Sequence, residues 1–199
     1  EMFDVEKAFG DTRVLKGFTL TIAEGQTLSI IGGSGSGKST VLKHMVGLLR
    51  PDEGEVYVDE RNVSRLDQES LYDLRRDVGY VFQFAALFDS MTIGENVGMG
   101  LKRMPTMGDA AIEERVAECL QMVGLEGTDQ RLPSELSGGQ RKRAGFARAI
   151  ATRPKYMLYD EPTTGLDPVT TAVIDELIVR LSDELGVTGV VITHDMKSA

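Results

Sequence analysis

Gly32-Gly33-Ser34-Gly35-Ser36-Gly37-Lys38-Ser39 stands between an apolar run at residues 27–31 and a second apolar run at 39–46. The first run, rich in Ile between Thr and Gly breaks, reads as a strand, and the second as a helix. A glycine-rich loop between a strand and a helix has a defined chemical use. Successive backbone N–H groups turn inward around phosphate oxygens, which demands close approach and backbone angles that a Cβ would obstruct. The helix that follows adds its positive end. In a loop of the form GxxxxGK[ST], Lys38 reaches the β- and γ-phosphates and the Ser39 hydroxyl is a ligand for Mg²⁺. A flexible Gly/Ser linker would not explain why Lys38-Ser39-Thr40 opens an apolar helix, so residues 32–40 are expected to bind a nucleotide.

Further along, Tyr156-Met157-Leu158-Tyr159-Asp160-Glu161-Pro162 is an apolar strand ending in two carboxylates. Beside a phosphate loop that pairing has a chemical logic. Asp160 suits a Mg²⁺-bound water, and Glu161 could polarise the water that attacks the γ-phosphate. Alone, the triplet Asp-Glu-Pro would be an ordinary solvated turn. Together the two motifs specify an NTPase, although a P-loop kinase would offer much the same pair.

Around these landmarks, strands are expected near residues 2–8, 17–22, 54–58, 78–82 and 189–193. From about 94 to 151 the pattern becomes helical, with Ile112, Val116, Leu120 and Val123 near one face and Glu113, Glu114 and Glu118 off it. Val169, Val173, Leu177 and Leu181 mark a later amphipathic helix, and a further helix start falls near residue 196. Strands alternating with helices imply a mostly parallel α/β sheet. At 199 residues the chain is long enough for one large domain, and no internal repeat or low-complexity tract divides it.

With 31 acidic against 22 basic residues, the net charge of −9 argues against a general binder of nucleic acid, whose affinity rests on clustered Lys and Arg. No stretch approaches 18 consecutive apolar residues, and no secretory signal opens the chain, so a cytosolic protein is expected. The single cysteine, Cys119, falls on an apolar helix face and reads as a small core residue. His44 has no motif around it and reads as structural.

Leu136-Ser137-Gly138-Gly139-Gln140, about twenty residues before the acidic strand, is the signature of ABC ATPases. Almost the whole chain resembles an ABC nucleotide-binding domain. The resemblance implies an α/β P-loop NTPase of ABC type over residues 1–199: a mostly parallel core sheet, an N-terminal antiparallel β subdomain and an inserted α-helical subdomain at roughly 94–151. By that resemblance Phe9 stacks on adenine, where tyrosine is commoner. Gln83 is the glutamine that touches Mg²⁺ and the attacking water, Asp167 of Gly165-Leu166-Asp167 faces a partner subunit, and His194 holds the γ-phosphate and orients Glu161. The resemblance also implies ATP and Mg²⁺ as cofactors and a head-to-tail homodimer. In that dimer Leu136 to Gln140 of one copy caps the ATP held by the other. A family segment that follows the histidine is not seen here, so the sequence reads as truncated at its C-terminus.

The run Phe82-Gln83-Phe84-Ala85-Ala86-Leu87-Phe88-Asp89-Ser90-Met91-Thr92-Ile93-Gly94-Glu95-Asn96-Val97 is similar to the Mla-type phospholipid transport ATPases. That likeness implies an integral membrane permease of the MlaE kind, an indirect MCE-type lipid-binding partner, and a place at the cytoplasmic face of the inner membrane. Gly165-Leu166-Asp167 departs from the Gly-Gln-Asp common in that group. Phe84, Leu87 and Phe88 would form either a permease-docking surface or core. The alternatives are an importer of another small solute, and a soluble ABC ATPase such as the iron-sulfur cluster assembly type.

Overall fold

The computed structural model describes residues 1–104 and 107–194. Two sheets organise it. The first is antiparallel, with strands β1 (Met2–Phe9), β2 (Thr12–Leu20), β4 (Glu53–Val58) and β5 (Arg61–Asn62) in the order β2-β1-β4-β5. The second holds β3 (Thr27–Ile31), β6 (Val78–Val81), β7 (Tyr156–Asp160) and β8 (Thr188–Thr193), all parallel, in the order β3-β8-β7-β6.

The strand expected at 17–22 lies instead at Thr12–Leu20. It turns straight back from β1, with Phe9 paired to Thr12 and Met2 to Leu20. Between the pairs Val5–Phe18 and Lys7–Leu15, β2 carries one residue more than β1, and Gly17 takes a φ of 69° there. This is a bulge, and its glycine reads from sequence as a strand boundary.

Helices cover both faces of the parallel sheet: α1 (Lys38–Met45) and α2 (Gln68–Arg76), then α3 (Ile93–Gly98), α4 (Asp109–Met122), α5 (Gly138–Ile150) and α6 (Pro168–Leu185). The central strands show the consequence. Met157 and Tyr159 of β7 and Val191 of β8 belong to a core shared with α3–α6. Leu158, Val190 and Ile192 point into a second core with α1, α2 and the antiparallel sheet. A parallel strand buried on both faces loses the polar alternation of a half-exposed one, which is why 189–193 reads as a continuous apolar run.

On α4 the expected face is buried: Ile112, Val116 and Leu120 are all in the core, with Cys119 beside them and Val123 just past the helix end. Arg115 is also buried. Its guanidinium donates to the carbonyls of Ile150 and Ala151, satisfying the C-terminus of α5, and pairs with Glu118 at 2.7 Å. On α6 the expected face is corrected. Val169 and Val173 are 76% and 46% exposed, and the buried residues are Ile174, Leu177, Ile178 and Leu181. Steps of four overshoot a helical turn by about 40° each, so a 169-173-177-181 series drifts off the buried stripe.

The run 82–97 divides by task. Thr92 and Glu95 form a capping box at the start of α3. The buried amide of Asn96 donates to the carbonyls of Phe88, Met91 and Thr92 and accepts from the Phe88 N–H, while Val97 is core. Leu87 packs against the helical core, whereas Phe84 is 82% exposed and Phe88 about half exposed. Among the described residues no helix is long and apolar enough to cross a membrane. The helix start expected near residue 196 lies outside the described residues.

Candidate functional site

The parallel strands end side by side. Ile31 is paired with Thr193, Ile192 with Asp160, and Tyr159 with Val81. The next residues along the chain are the loop 32–37, His194, Glu161 and Phe82-Gln83. Ligands of open α/β sheets bind outside the carboxyl ends of their strands, and four separate sequence signals meet at that edge.

In the loop, Gly33, Ser34, Gly35 and Ser36 are exposed, and the Ser36 N–H donates to the Gly33 carbonyl. Gly37 caps α1 with a φ of 92°, and a Cβ there would lie 2.8 Å from Val14 Cγ1 of β2. The position therefore requires glycine twice over, for its angle and for the approach of the antiparallel sheet. Lys38 is 7% exposed; its ammonium donates to the Gly32 and Gly33 carbonyls at 2.8 and 2.9 Å and lies 3.5 Å from Glu161 Oε1. Thr40 accepts at its carbonyl from His44 Nδ1 at 2.7 Å, and His44 is buried. Burial, chiefly, holds the His44 pKa below its ordinary value.

Glu161 sits just past β7 at a φ of 47°, an uncommon conformation for a residue with a side chain. Its Oε2 accepts from Thr164 Oγ1 at 3.0 Å and Gln83 Nε2 at 3.4 Å, and His194 Nδ1 lies 3.2 Å away. Residues 78 and 33 positions distant thus converge on one carboxylate. Asp160 is held separately: Ser39 Oγ donates to Oδ1 at 2.9 Å and Tyr80 Oη to Oδ2 at 3.0 Å. A hydroxyl and a carboxylate are hard oxygen donors, and Mg²⁺ takes one or two such protein ligands with substrate phosphates, so the Ser39–Asp160 pair fits that ion. Gln83, the third expected ligand, is brought to Glu161 rather than to this pair.

Several residues here carry no sequence motif. Lys142 of α5 is buried, and its ammonium donates to the Gln83 carbonyl. Burial lowers the Lys142 pKa, and the nearby Glu161 carboxylate partly opposes that shift. Arg148, also on α5, donates to the carbonyls of Ala85 and Ala86, two successive residues with φ of 59° and 50°. Burial first, and Asp160 second, raise the Tyr80 hydroxyl pKa. Only for Tyr80 does the sequence offer a signal: it lies two residues before Phe82, on one face of a strand of period two.

The signature stretch is built differently. Leu136 is buried, whereas Ser137 and Gly138 are exposed at the start of α5. Ser137 Oγ accepts from the Gln140 N–H, and Gln140 Oε1 accepts from the Ser137 N–H, with Gly139 between them. Among the described residues no hydrogen bond or ion pair joins residues 136–140 to the phosphate loop. Asp167 caps α6, accepting from the Val169 and Thr170 N–H groups. Phe9, at the end of β1, is 48% exposed, with Lys7 Nζ 5.7 Å from its ring centre.

A phosphate loop, an acidic strand end and a signature helix on this fold define a class, and the sequence pattern of the ABC transporter family matches residues 15–164. The chain belongs to that family. It is 45% identical to the chloroplastic protein trigalactosyldiacylglycerol 3 of Arabidopsis thaliana, over 92% of this chain and 56% of that protein. It is 42% identical to the methionine import ATP-binding protein MetN of Brucella abortus, over 98% of this chain and 53% of that one. With the probable ribonucleotide transport ATP-binding protein mkl of Mycobacterium leprae the identity is 39%, over 100% of this chain and 57% of that one. The chain thus spans little more than half the length of these relatives. Among solved structures it is similar to the dimeric post-hydrolysis state of the ATP-binding cassette MJ0796 bound to ADP and Pi. That match has a TM-score of 0.89 and 40% identity, and covers 100% of this chain and 89% of the other.

Proposed function

We propose that this chain binds ATP with Mg²⁺ and hydrolyses it, as the ATP-binding subunit of an ABC transporter. The observation that carries the reading is the convergence on Glu161 of Lys38, Gln83, Thr164 and His194, beside a Ser39–Asp160 pair. The loop 32–37, with Lys38, Ser39 and Thr40, binds the phosphates, and Phe9 offers adenine a stacking face. Ser39 and Asp160 would hold Mg²⁺, which would neutralise phosphate charge, and Gln83 would join them on turning from Glu161. Glu161 takes a proton from the attacking water, Gln83 orients that water, and His194 orients Glu161 and contacts the γ-phosphate.

The site is completed by a second copy, head to tail. Leu136, Ser137, Gly138, Gly139 and Gln140 of one subunit present backbone N–H groups at a helix N-terminus to the γ-phosphate on the other, and Asp167 faces the same junction. Loss of that phosphate removes the bridge and lets the dimer open. The solved dimer of MJ0796 with ADP and Pi supports, by likeness, the pairing of two copies. The chain works at the cytoplasmic face of a membrane through an integral permease. The exposed Phe84 and Phe88 support a docking surface beside Gln83.

For the cargo we favour phospholipid, in a system of the Mla type with an MlaE-like permease and an MCE-type lipid-binding protein. Residues 82–97 support it, and a relative whose name is built on that of a glycolipid supports a lipid cargo more broadly. A small-solute importer is the second reading, favoured by the 42% identity to a methionine import protein. Affinity purification of the full-length protein from solubilised membranes, with mass spectrometry of proteins and lipids, separates them. An MCE protein with enriched phospholipid supports the first, a solute-importer permease the second, and only soluble partners would overturn transport.

The chemistry is tested by Glu161→Gln. That variant of the full-length protein should bind ATP and dimerise stably while turnover falls by about 10²–10⁴-fold, the usual contribution of a positioned base. Unchanged hydrolysis would remove Glu161 from its role.

A further inference from the structure

We propose that Tyr80 is a positioning residue for the Mg²⁺ site, its hydroxyl holding the Asp160 oxygen that Ser39 does not. The inference rests on the ATPase reading and adds a residue that lies outside the phosphate loop, the acidic strand end and the signature.

Asp160 is the last residue of β7, so backbone pairing fixes its Cα but leaves the carboxyl free to rotate about its final torsion, which is broad for an aspartate. Two donors, one on each oxygen, define the carboxylate plane. Ser39 Oγ supplies the first at 2.9 Å and Tyr80 Oη the second at 3.0 Å. Ser39 is itself assigned to the metal through its oxygen, and its single hydrogen bond leaves the carboxylate free to pivot about that one contact. Tyr80 has no such second duty.

Its own position is fixed from behind. Tyr80 belongs to β6, paired in register with Leu158 of β7, and its ring lies 4.3 Å from the Phe82 ring at 33°. The Arg148 guanidinium stands 5.9 Å from the Phe82 ring centre while bonded to the Ala85 and Ala86 carbonyls. Packing accounts for an aromatic ring at position 80. It does not account for the hydroxyl, which donates to the one carboxylate oxygen that Ser39 leaves open.

The test uses Mn²⁺ as a probe with the full-length protein and a non-hydrolysable ATP analogue, read by electron paramagnetic resonance. Tyr80→Phe keeps the ring and removes the hydroxyl. The Mn²⁺ dissociation constant should rise about tenfold, the low end for partners of metal ligands, with nucleotide affinity in EDTA changed less than about twofold. The Mg²⁺ concentration for half-maximal turnover should rise by the same factor. Mn²⁺ affinity in Y80F equal to that of the wild type would overturn the proposal. So would a loss seen in Tyr80→Leu but not in Y80F, which would assign the effect to ring packing. Failure of the wild type to bind Mn²⁺ with nucleotide is a different result, and would overturn the ATPase reading beneath it.

Discussion

The carboxyl edge of the parallel sheet and the N-terminus of α5 both present groups suited to phosphate, yet the chain treats them in opposite ways. At the sheet edge each functional side chain has a partner within the same chain: Lys38 on the loop carbonyls and Glu161, Ser39 on Asp160, Gln83 and Thr164 on Glu161. At α5, among the described residues, the Ser137 and Gln140 side chains bond to each other's backbone N–H groups and to nothing at the sheet edge. A Cβ built on Gly138 would meet nothing within 4 Å, whereas one on Gly37 would strike β2. The fold itself therefore explains glycine at 37 and gives no reason for it at 138. A requirement at 138 has to come from outside the chain, as the proposed second copy would supply.

That contrast can be broken by substitution at each pole. The larger effect is expected from Lys38→Ala, which should weaken nucleotide binding by about 1.5–3 kcal/mol, roughly 10–150-fold, the value of hydrogen bonds to a charged group. Isothermal titration with ATP would read it, and affinity within twofold of the wild type would remove Lys38 from the phosphates. Gly138→Ala should act elsewhere. With open space around it, the added methyl should leave the unfolding free energy unchanged or raise it by about 0.4–1 kcal/mol. Turnover of the assembled protein should nevertheless fall about tenfold, through a shift of less than 1 Å in the capped phosphate. Loss of stability without loss of turnover would make Gly138 a requirement of the fold and dissolve the comparison.

The smallest effect concerns the helix that carries Lys38. His44 is buried on α1 and its pKa is lowered, mainly by burial, with Lys7 acting in the same sense against the Thr40 and Arg50 carbonyls and Asp52. An unfolded histidine takes up a proton below about pH 6.5 that the native one refuses, so the unfolded state binds more protons there. His44's contribution to stability is thus complete above about pH 6.5 and is lost as pH falls below it toward the lowered native value. Thermal unfolding midpoints from pH 8 to 5 should show a slope that flattens in His44→Gln.

Much of the site is legible in the sequence because its parts are local. Residues 32–39 form one loop and the first turn of α1, and Asp160-Glu161 one strand end, so consecutive residue types carry both. The same reasoning fails where partners are distant. The strand period places Tyr80 on a face without naming Asp160 as its partner, and nothing about position 142 announces that Lys142 will reach the Gln83 carbonyl 59 residues away. It fails also where two roles share one pattern. Arg115 sits within an apolar helix face as a buried cap for α5, and Val169 and Val173 extend an apolar series that the geometry leaves in water.

By itself, then, the sequence determined which segments could hold phosphate, where β3 and β7 end, and the family to which those motifs belong. These are properties of backbone angles and residue types over a few consecutive positions. Only the tertiary structure decided that the edge order β3-β8-β7-β6 brings Gly32, His194, Glu161 and Gln83 together, which side of α6 is buried, and which carboxylate each donor meets. The register between strands far apart in the chain is fixed when both faces of the sheet are buried, and that burial is a property of the packed whole.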